Sequence, residues 1–424
     1  MANQRVILHR HTLGELLDVT RGMSLPGSNY ATSGKLIRLT LGNFDYGGNG
    51  FKENTSKDNI YYSGAVPEDF IMKAGDIITP LTEQTPGLLG TTAKIPESGK
   101  YIQSQDVALV TCKPGKLDPL FCYYLVSSGI VKQQLAAGSQ QTKIRHTSPD
   151  KIKACVVFIP EDLTIQHQIG EFLSNIDEKI SLNRIAINEL ETLAKQIYDY
   201  WFVQFDFPDI NGCPYKSSKN PMVYNKELKR VIPADWEKAT LLDIACYTNG
   251  LACQNHRPKR GEQQLPVIKI KEMRDGYSSE TEAVSINIPE SIKVHNGDIL
   301  FSWSASLEVM QWAYGEGGLN QHIFKVTGKN GYPKGFYYFQ ILNYVDVFRK
   351  IAEARKTTMG HITQDHLKQS KIAVPKDKAI LEKFESLVKP LMDKQVTLTE
   401  EITSLKSVRD FLLPMLMTGQ LSIS

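Results

Sequence analysis

The chain carries two loosely similar copies of one pattern, and this internal repeat limits the possible folds more than any other feature. Residues 12–22 (TLGELLDVTRG) recur as residues 240–250 (TLLDIACYTNG), 228 positions later, and the Gly-Asp-Ile tripeptide at 75–77 recurs at 297–299. From residue 160 onward the separation stays at 215 positions through a long helical pattern. Two copies of a variable segment, each followed by a segment of constant length, predict two similar domains that each lead into a long helix.

The length of 424 residues and the apolar content of 41% suit more than one folded domain. We expect an α+β fold, with two mixed α/β domains in a pseudo-twofold arrangement joined by a two-helix antiparallel coiled coil. The expected boundaries are 1–160 for the first domain, 161–201 for the first long helix, 202–235 for a linker, 236–375 for the second domain and 376–424 for the second long helix. Short apolar runs between turn signals predict strands at 36–40, 76–79, 107–112, 156–159, 267–270, 298–302, 323–326 and 371–374, and helices at 119–136 and 334–354.

Several classes of protein are disfavoured by what the sequence lacks. Its longest apolar runs fall well short of the roughly 18 residues that a membrane span needs, and its first residues do not form a signal peptide. The six cysteines contain no C-x-x-C pair. We therefore expect reduced thiols, a cytoplasmic location and no membrane partner.

Catalytic and nucleotide-binding motifs are also missing. The chain has no G-x-x-x-x-G-K-[ST], H-E-x-x-H or G-x-S-x-G motif and no credible Gly-rich dinucleotide loop. The pairs His9/His11 and His361/His366 lack a third metal ligand nearby. The sequence predicts a non-catalytic chain with no catalytic residue, metal or cofactor of its own.

Charge is distributed unevenly along the chain, whose net charge is only +3. Residues 1–160 hold 17 Lys and Arg against 13 Asp and Glu, and residues 236–375 hold 17 against 14. The first helical segment, 161–201, is acidic, with 3 against 8. If the partner is a polyanion, the two domains should contact it and this helix should not. Ordinary variation of surface charge is the alternative.

Apolar residues in 4-3 spacing follow each domain and are typical of a coiled-coil seam. The expected helix-pairing residues of the first helix are Ile169, Leu173, Ile176, Ile180, Asn183, Ile187 and Leu190. Those of the second helix are Phe384, Val388, Leu391, Gln395, Leu398, Ile402 and Leu405. Two independent helices, each packed on its own domain, are the alternative. Antiparallel pairing is favoured because it gives the connecting segment 202–235 a short path.

Four residues interrupt the apolar pattern of the long helices. We predict that Asn183 and Gln395 meet each other and fix the register, because a buried amide costs least opposite another amide. Pro390 should kink the second helix or split it, since proline removes a backbone donor and clashes with the preceding turn. Arg409 should lie near a helix end, where its charged head can reach water.

Three groups of polar residues are candidates for contact with phosphates and base edges. They are the loops 138–146 and 353–361, the segments that follow the two Gly-Asp-Ile tripeptides, and the basic cluster at 257–260. Ordinary solvated loops are the alternative. The candidate residues for these contacts are Arg38, Thr79, Thr82, Gln140, Gln141, Lys143, Arg145, Arg257, Lys259, Arg260, Lys269, Lys271, Ser302, Ser304, Lys356, Thr357 and Thr358.

Five segments together carry a resemblance to a known family. They are residues 201–208 (WFVQFDFP), 215–218 (YKSS), 222–224 (MVY), 232–236 (IPADW) and 411–421 (FLLPMLMTGQL). With them the whole chain resembles the specificity subunit of a type I restriction–modification system. The resemblance implies two target-recognition domains, each followed by a spacer helix, with the two helices paired antiparallel.

The resemblance also implies a function. Each target-recognition domain would read one half of a bipartite site in double-stranded DNA, and the helices would set the gap between the halves. The chain would recruit two modification subunits, which methylate adenine with S-adenosylmethionine, and ATP-driven restriction/translocase subunits. S-adenosylmethionine, ATP and Mg would bind those partners and none of them this chain. The alternatives are a coiled-coil scaffold with two protein-binding modules and a specificity module of another DNA methyltransferase complex.

Overall fold

The computed structural model divides the chain into two compact units. Unit 1 comprises Met1–Ile180 and Leu405–Ser424, and unit 2 comprises Ser181–Ser404. The structure describes residues 7–45, 50–56, 58–83, 87–138, 145–304, 306–354, 362 and 364–421, with the backbone alone for 351–354 and 364.

In the residues that the structure describes, unit 1 is built from short, mostly antiparallel strands and small helices, together with the first part of one long helix and the end of another. Its strands are β1 His9–Thr12, β2 Leu17–Arg21, β3 Tyr30–Ala31, β4 Leu36–Arg38, β5 Tyr61–Tyr62, β6 Ile77–Pro80, β7 Thr82–Glu83, β8 Ala93–Lys94, β9 Tyr101–Ile102, β10 Val107–Cys112, β11 Arg145–His146 and β12 Val156–Ile159. Its helices are α1 Leu13–Leu16, α2 Pro119–Val126, α3 Gly129–Ala137 and α4 Pro149–Lys153, and the long helix is α5 Leu163–Tyr198. The sheets have the orders β2-β10-β6-β8, β3-β5-β4-β9, β1-β12 and β11-β7.

Unit 2 repeats this plan with an added hairpin. Its strands are β13 Met222–Asn225, β14 Arg230–Pro233, β15 Trp236–Ala239, β16 Ala245–Asn249, β17 Gln264–Ile268, β18 Ala283–Ser285, β19 Lys293–Val294, β20 Ile299–Ser302, β21 Glu308–Gln311, β22 Gly317–Leu319, β23 Ile323–Gly328 and β24 Ile372–Pro375. Its helices are α6 Leu241–Ile244, α7 Ile270–Asp275, α8 Lys334–Ala354, α9 Gln364–Gln369 and the long helix α10 Lys378–Met417. The sheets have the orders β16-β23-β20-β21, β18-β17-β22-β19, β15-β24 and β13-β14.

The repeat seen in the sequence is a repeat of topology. The pair β1-β12 of unit 1 corresponds to β15-β24 of unit 2. In the sheets β2-β10-β6-β8 and β16-β23-β20-β21, an early strand lies beside a long inner strand, β10 or β23. The first short helix of each unit begins with a capping box, formed by Thr12 and Glu15 in unit 1 and by Thr240 and Asp243 in unit 2. The predicted α+β fold with two similar halves is confirmed.

Glycine ends the repeated segment for a steric reason. A Cβ atom on Gly22 would lie 2.3 Å from the carbonyl oxygen of Ser104, and one on Gly250 would lie 2.2 Å from that of Asn320. Both distances are far below van der Waals contact, so each unit needs glycine where the chain leaves the strand and passes close to a neighbouring backbone.

Most predicted elements are present, with ends shifted by a few residues. The predicted strand 267–270 ends early, because α7 begins at Ile270. The predicted helix 119–136 is divided between α2 and α3, where the Ser127 hydroxyl donates to the carbonyl oxygen of Tyr123 at 3.1 Å. The aromatic residues that open α2 and α8 lie in the cores, as expected, and each fully buried ring contributes roughly 2–3 kcal/mol.

Helices α5 and α10 pair antiparallel. The Asp177 carboxylate lies 2.7 Å from the Arg409 guanidinium in unit 1, and the rings of Tyr198 and Phe384 lie 6.2 Å apart in unit 2. Residue numbers therefore rise along α5 as those of its partners on α10 fall. With 36 residues, α5 is about 54 Å long.

The residues expected at the helix seam are all withdrawn from solvent, although to different degrees. Fully buried members are Ile169, Leu173, Ile176, Ile180, Asn183, Phe384, Val388, Leu398 and Ile402. Half-buried members are Ile187, Leu190, Leu391, Gln395 and Leu405.

Asn183 meets a different partner from the one predicted. Its buried amide donates to the Glu401 carboxylate at 2.9 Å. The hypothesis of an Asn183–Gln395 pair is therefore wrong. The offset between the two helices places Glu401, six residues beyond Gln395, opposite Asn183. The buried amide thus finds a charged acceptor, which gives a stronger hydrogen bond than a second amide.

Pro390 does not split the second helix, contrary to one of the two predicted outcomes. Helix α10 runs without interruption from Lys378 to Met417. Val388 and Met392, on either side of the proline, are fully buried. Their packing holds the helix together across the missing backbone donor.

Arg409 is buried, so the expectation that its head reaches water is wrong. Only 8% of its side chain is exposed. The guanidinium donates to Asp177 at 2.7 Å and to Asp410 at 2.9 Å. The other oxygen of the Asp177 carboxylate accepts the Tyr124 hydroxyl at 2.8 Å. Burial, reinforced by the nearby Asp177 charge, raises the pKa of Tyr124, so this hydroxyl remains a donor. We call Tyr124, Asp177 and Arg409 the ion-pair triad.

The first prediction concerns the energy of this triad. Replacing Arg409 with Met should lower the stability of unit 1 by up to about 3 kcal/mol, because it leaves the partly buried Asp177 carboxylate without its cation. The double variant Asp177→Asn/Arg409→Met should recover part of the loss. Thermal unfolding of the full chain measures both effects.

The matched control for Arg409→Met is Lys389→Met on the same helix. Lys389 also pairs with an acidic residue, Asp393, but its side chain is 60% exposed, so the change should cost much less stability than Arg409→Met. Equal losses for the two variants would show that burial adds nothing to the Arg409 ion pair.

Candidate nucleic-acid interface

Three chain segments meet in unit 1 at the end of the main sheet where β6 finishes and β10 begins. A turn at residues 104–107 leads into β10. Leu81, between β6 and β7, donates its N–H to the carbonyl oxygen of Asp106 at 2.8 Å. Its own carbonyl accepts the N–H of Thr147 at 2.8 Å, directly after β11. The backbone thus holds the turn, β7 and the end of the polar loop side by side.

Polar side chains fill this meeting point. The Thr82 hydroxyl lies 3.3 Å from the Asp106 carboxylate and 3.3 Å from Nδ1 of His146. In the adjacent residue pair of the β7-β11 ladder, Arg145 lies opposite Glu83, and its guanidinium donates to the Glu83 carboxylate at 3.3 Å. Arg145 keeps a third of its side chain exposed, so it can turn toward a ligand while its stem stays fixed.

Glu83 is the anchor of this arrangement. Its side chain is 3% exposed, and one carboxylate oxygen accepts the backbone N–H groups of Gly87, Leu88 and Leu89 at 3.1, 3.0 and 3.0 Å. The other oxygen holds Arg145. One buried carboxylate therefore positions both a loop and a cation.

Unit 2 has the same construction with different side chains. Trp303 follows β20 and donates its N–H to the carbonyl oxygen of His322 at 3.2 Å, and its carbonyl accepts the N–H of Ile362 at 2.9 Å. Its indole N–H donates to the Asn249 side chain at 3.0 Å. The Trp303 and His322 rings lie 5.5 Å apart, and the turn at 320–323 leads into β23.

We call this repeated site the strand-end corner. Its side chains are Arg21, Thr82, Gln105, Asp106, Arg145 and His146 in unit 1, and Asn249, Trp303, Gln321 and His322 in unit 2. In each unit a residue that follows the polar loop, Thr147 or Ile362, donates its N–H to the segment after the Gly-Asp-Ile strand. The candidates Thr82 and Arg145, which come from two different groups in the sequence, therefore lie close together in unit 1.

Two predicted DNA-contacting residues lie in the interior and are corrected here. Thr79 and Ser302 are both 0% exposed. The Thr79 hydroxyl donates to the carbonyl of Thr91 at 2.9 Å, and the Ser302 hydroxyl donates to that of Ser306 at 2.5 Å. These side chains point into the cores because they occupy inward positions of β6 and β20.

Arg38, Thr82 and Ser304 are also withdrawn from solvent, and Thr82 is 8% exposed. Arg38 is 8% exposed, with its guanidinium 3.9 Å above the Tyr30 ring and donating to the carbonyl of Asn59 at 3.2 Å. Ser304 is 6% exposed. Stacking and an internal acceptor thus occupy the Arg38 head, which favours a structural role.

The basic candidates of unit 2 that lie in the described residues fall into two groups. Arg257, Lys259 and Arg260 are exposed. Lys269 and Lys271 form surface ion pairs with glutamates, at 2.6 Å to Glu282 and 2.8 Å to Glu280. Such exposed pairs contribute little, so a phosphate can replace the carboxylates at small cost.

The polar-loop candidates Gln140, Gln141, Lys143, Lys356, Thr357 and Thr358 lie outside the described residues.

Sequence reasoning missed the turns of the corner. The turn 104–107 reads SQDV and its counterpart 320–323 reads NQHI, a separation of 216. That value lies between the separations of 222 and 215 on either side, so the pairing was available from the repeat. Two four-residue segments that share only their glutamine are too short to be recognised as a repeat by themselves.

Neither a metal cluster nor a membrane span is found in the described part of the chain. Among those residues, no three or more His, Cys, Asp or Glu side chains form a group that could hold a metal. None of the helices within the described ranges has the length and apolarity of a membrane span. All six cysteines are free, and burial raises the pKa of Cys155 and Cys253 to about 11.

Comparison with known proteins identifies the family. The sequence pattern of the type I restriction modification DNA specificity domain matches residues 10–192 and 233–404. The chain therefore belongs to this family, and the resemblance noted in the sequence is confirmed. Members are the specificity subunits of type I restriction enzymes, which are non-catalytic.

Two curated relatives and one solved structure illustrate the match. The MjaIX specificity subunit of Methanocaldococcus jannaschii is 24% identical over 316 residues, 72% of this chain and 69% of the relative. The EcoBI specificity subunit of Escherichia coli is 24% identical over 191 residues, 44% of this chain and 40% of the relative. The S subunit structure from M. genitalium aligns with a TM-score of 0.58 at 16% identity, covering 98% of this chain and 97% of the other, which supports the fold.

The second prediction tests Glu83 as the anchor of the corner. Replacing Glu83 with Ala leaves three backbone N–H groups without their acceptor, which costs roughly 1–3 kcal/mol for each buried group. Hydrogen exchange at the amides of Gly87, Leu88 and Leu89 should accelerate by about tenfold or more.

Glu97→Ala is the control for Glu83→Ala. Glu97 is itself exposed and pairs with the half-buried Lys100 at 2.9 Å, so its removal should leave exchange at residues 87–89 unchanged. Unchanged exchange in Glu83→Ala itself would show that the loop is held by other contacts.

Proposed function

We propose that this chain reads a bipartite site in double-stranded DNA, with one half read by each target-recognition domain. The observation that carries the proposal is the strand-end corner, built twice in one chain from the same backbone contacts and different side chains. Two sites with the same backbone contacts and different side chains suit the recognition of two different DNA sequences. Membership of the DNA specificity family supports DNA as the ligand.

The corner has the chemistry that base reading needs. Guanidinium and carboxamide groups make bidentate hydrogen bonds to guanine and adenine edges in the major groove, and carboxylates accept from cytosine. Arg21, Gln105 and Asp106 in unit 1 supply all three types. The exposed Arg257, Lys259 and Arg260 of unit 2 would bind phosphates, which position the domain without reading sequence.

The remaining parts of the proposal concern spacing and partners. We propose that α5 and α10 set the gap between half-sites, which for one helical turn of DNA is roughly 34 Å. The chain would recruit two modification subunits, which flip and methylate adenine, and restriction/translocase subunits. S-adenosylmethionine, ATP and Mg would bind on those partners.

The third prediction separates the two readers. Exchanging residues 1–150 for the equivalent segment of another family member should change one half of the methylated site and leave the other half intact. Mapping methylated adenines genome-wide, in cells that express each chain with its modification subunits, gives the result. A change in both halves, or in neither, would contradict two independent readers.

The fourth prediction uses salt to test the basic cluster. Replacing Arg257, Lys259 and Arg260 with Ala should weaken DNA binding similarly for all sequences. The slope of log affinity against log salt should decrease by about 0.9 for each phosphate that the variant no longer neutralises. Fluorescence titration at several salt concentrations, with the chain and its modification subunits, measures the slope.

The control for the basic cluster is the triple variant of Lys216, Lys226 and Lys229 to Ala. These lysines are also exposed but lie around the added hairpin of unit 2, so the slope should stay unchanged. Absence of salt-dependent DNA binding by the unaltered chain would favour the scaffold with two protein-binding modules. Co-purification with an unrelated methyltransferase would favour the remaining alternative.

A further inference from the structure

The turns of the strand-end corner place one glutamine at the same position in each unit. Gln105 is the second residue of the turn 104–107, and Gln321 is the second residue of the turn 320–323. Both turns close with a backbone hydrogen bond, from Val107 to Ser104 at 3.0 Å and from Ile323 to Asn320 at 3.1 Å.

Neighbouring segments hold the backbone of each turn. In unit 1 the Arg21 side chain donates to the carbonyl oxygen of Gln105 at 2.8 Å, and the N–H of Leu81 donates to that of Asp106 at 2.8 Å. In unit 2 the N–H of Trp303 donates to the carbonyl oxygen of His322 at 3.2 Å. The backbone that carries each glutamine is therefore held by hydrogen bonds, which lowers the entropy lost when the glutamine binds a ligand.

The carboxamides themselves have little internal use. Gln105 is exposed, and its side chain makes no hydrogen bond with any residue that the structure describes. Gln321 is half-buried, with its amide nitrogen 3.4 Å from Nε2 of His322. By contrast, the nearby Gln103 is 2% exposed and donates to the carbonyl of Thr20 at 2.7 Å. Gln103 is structural, whereas Gln105 exposes its carboxamide to solvent and Gln321 is partly exposed.

From this geometry we infer that Gln105 and Gln321 are equivalent base-reading residues, each contacting one adenine in its half of the DNA site. The inference rests on the proposed function. A glutamine carboxamide matches the N6 donor and N7 acceptor of adenine in a bidentate contact. The residues around each glutamine differ, with Arg21 and Asp106 in unit 1 and Asn249 and His322 in unit 2. A shared adenine contact with different neighbours would give two half-sites that differ at the flanking base pairs.

The test compares Gln105→Ala and Gln321→Ala in the full chain, assembled with its modification subunits. Methylated sites are mapped genome-wide, and initial methylation rates are measured on oligonucleotides altered at one base pair at a time. Gln105→Ala should reduce discrimination by about tenfold at one A·T position of one half-site and leave the other half unchanged. Gln321→Ala should do the same in the other half.

Gln168→Ala and Gln369→Ala are the matched controls, because both glutamines are exposed but lie on helices α5 and α9. They should preserve discrimination at every position. Gln105→Glu supplies a second test, since a carboxylate cannot donate to N7 and should disfavour adenine at the same position.

The possible outcomes separate this inference from the proposed function. Full discrimination in both alanine variants, while the unaltered chain directs methylation to a bipartite site, overturns the glutamine assignment alone. Uniform loss at all positions with an unchanged melting temperature overturns it too, because it indicates a positioning role. If the unaltered chain directs methylation to no bipartite site, the proposed function itself fails.

Discussion

The pairing of α5 with α10 is the constraint on which the rest of the chain depends. Both helices contribute to both units, so their register affects each core. An apolar seam alone tolerates slippage by a turn, since one aliphatic residue resembles another. The ion-pair triad and the Asn183–Glu401 hydrogen bond remove this freedom, because a shift would leave buried polar groups without partners. These buried polar contacts therefore favour one alignment of α5 with α10.

The triad also ties the helix pair to the domain of unit 1. Tyr124 belongs to α2, whose aromatic residues lie in the domain core, and its hydroxyl reaches Asp177 on α5. Tyr124 thus connects the register of the helix pair to the domain that carries the strand-end corner of unit 1. In unit 2 the link is apolar: the Tyr198 ring of α5 stacks on the Phe339 ring of α8 at 5.4 Å, and Phe384 of α10 lies in the same core.

Periodic patterns made much of this fold predictable from sequence. The 4-3 spacing located both long helices, and the repeat showed that two domains share one topology. The errors have local causes. The preferences of isolated helices predict a break at Pro390 and a solvated head for Arg409. In the structure, buried neighbours keep the helix continuous at Pro390, and Asp177 pairs with Arg409. Thr79 and Ser302 were chosen for their chemistry, yet their strands turn them inward. The turns of the strand-end corner are recognised by their tertiary hydrogen bonds, and no short sequence motif predicts these bonds.

The discontinuity of unit 1 has a consequence for the order of folding during synthesis. Unit 2 is one continuous stretch, Ser181–Ser404. Unit 1 combines the first part of the chain with the end of α10, because Leu416 and Met417 are buried in the same core as Leu13 and Phe121. The core that the first residues begin is therefore completed only when the end of α10 has been made, and a chain interrupted before that point exposes an unfinished apolar surface to cellular quality control.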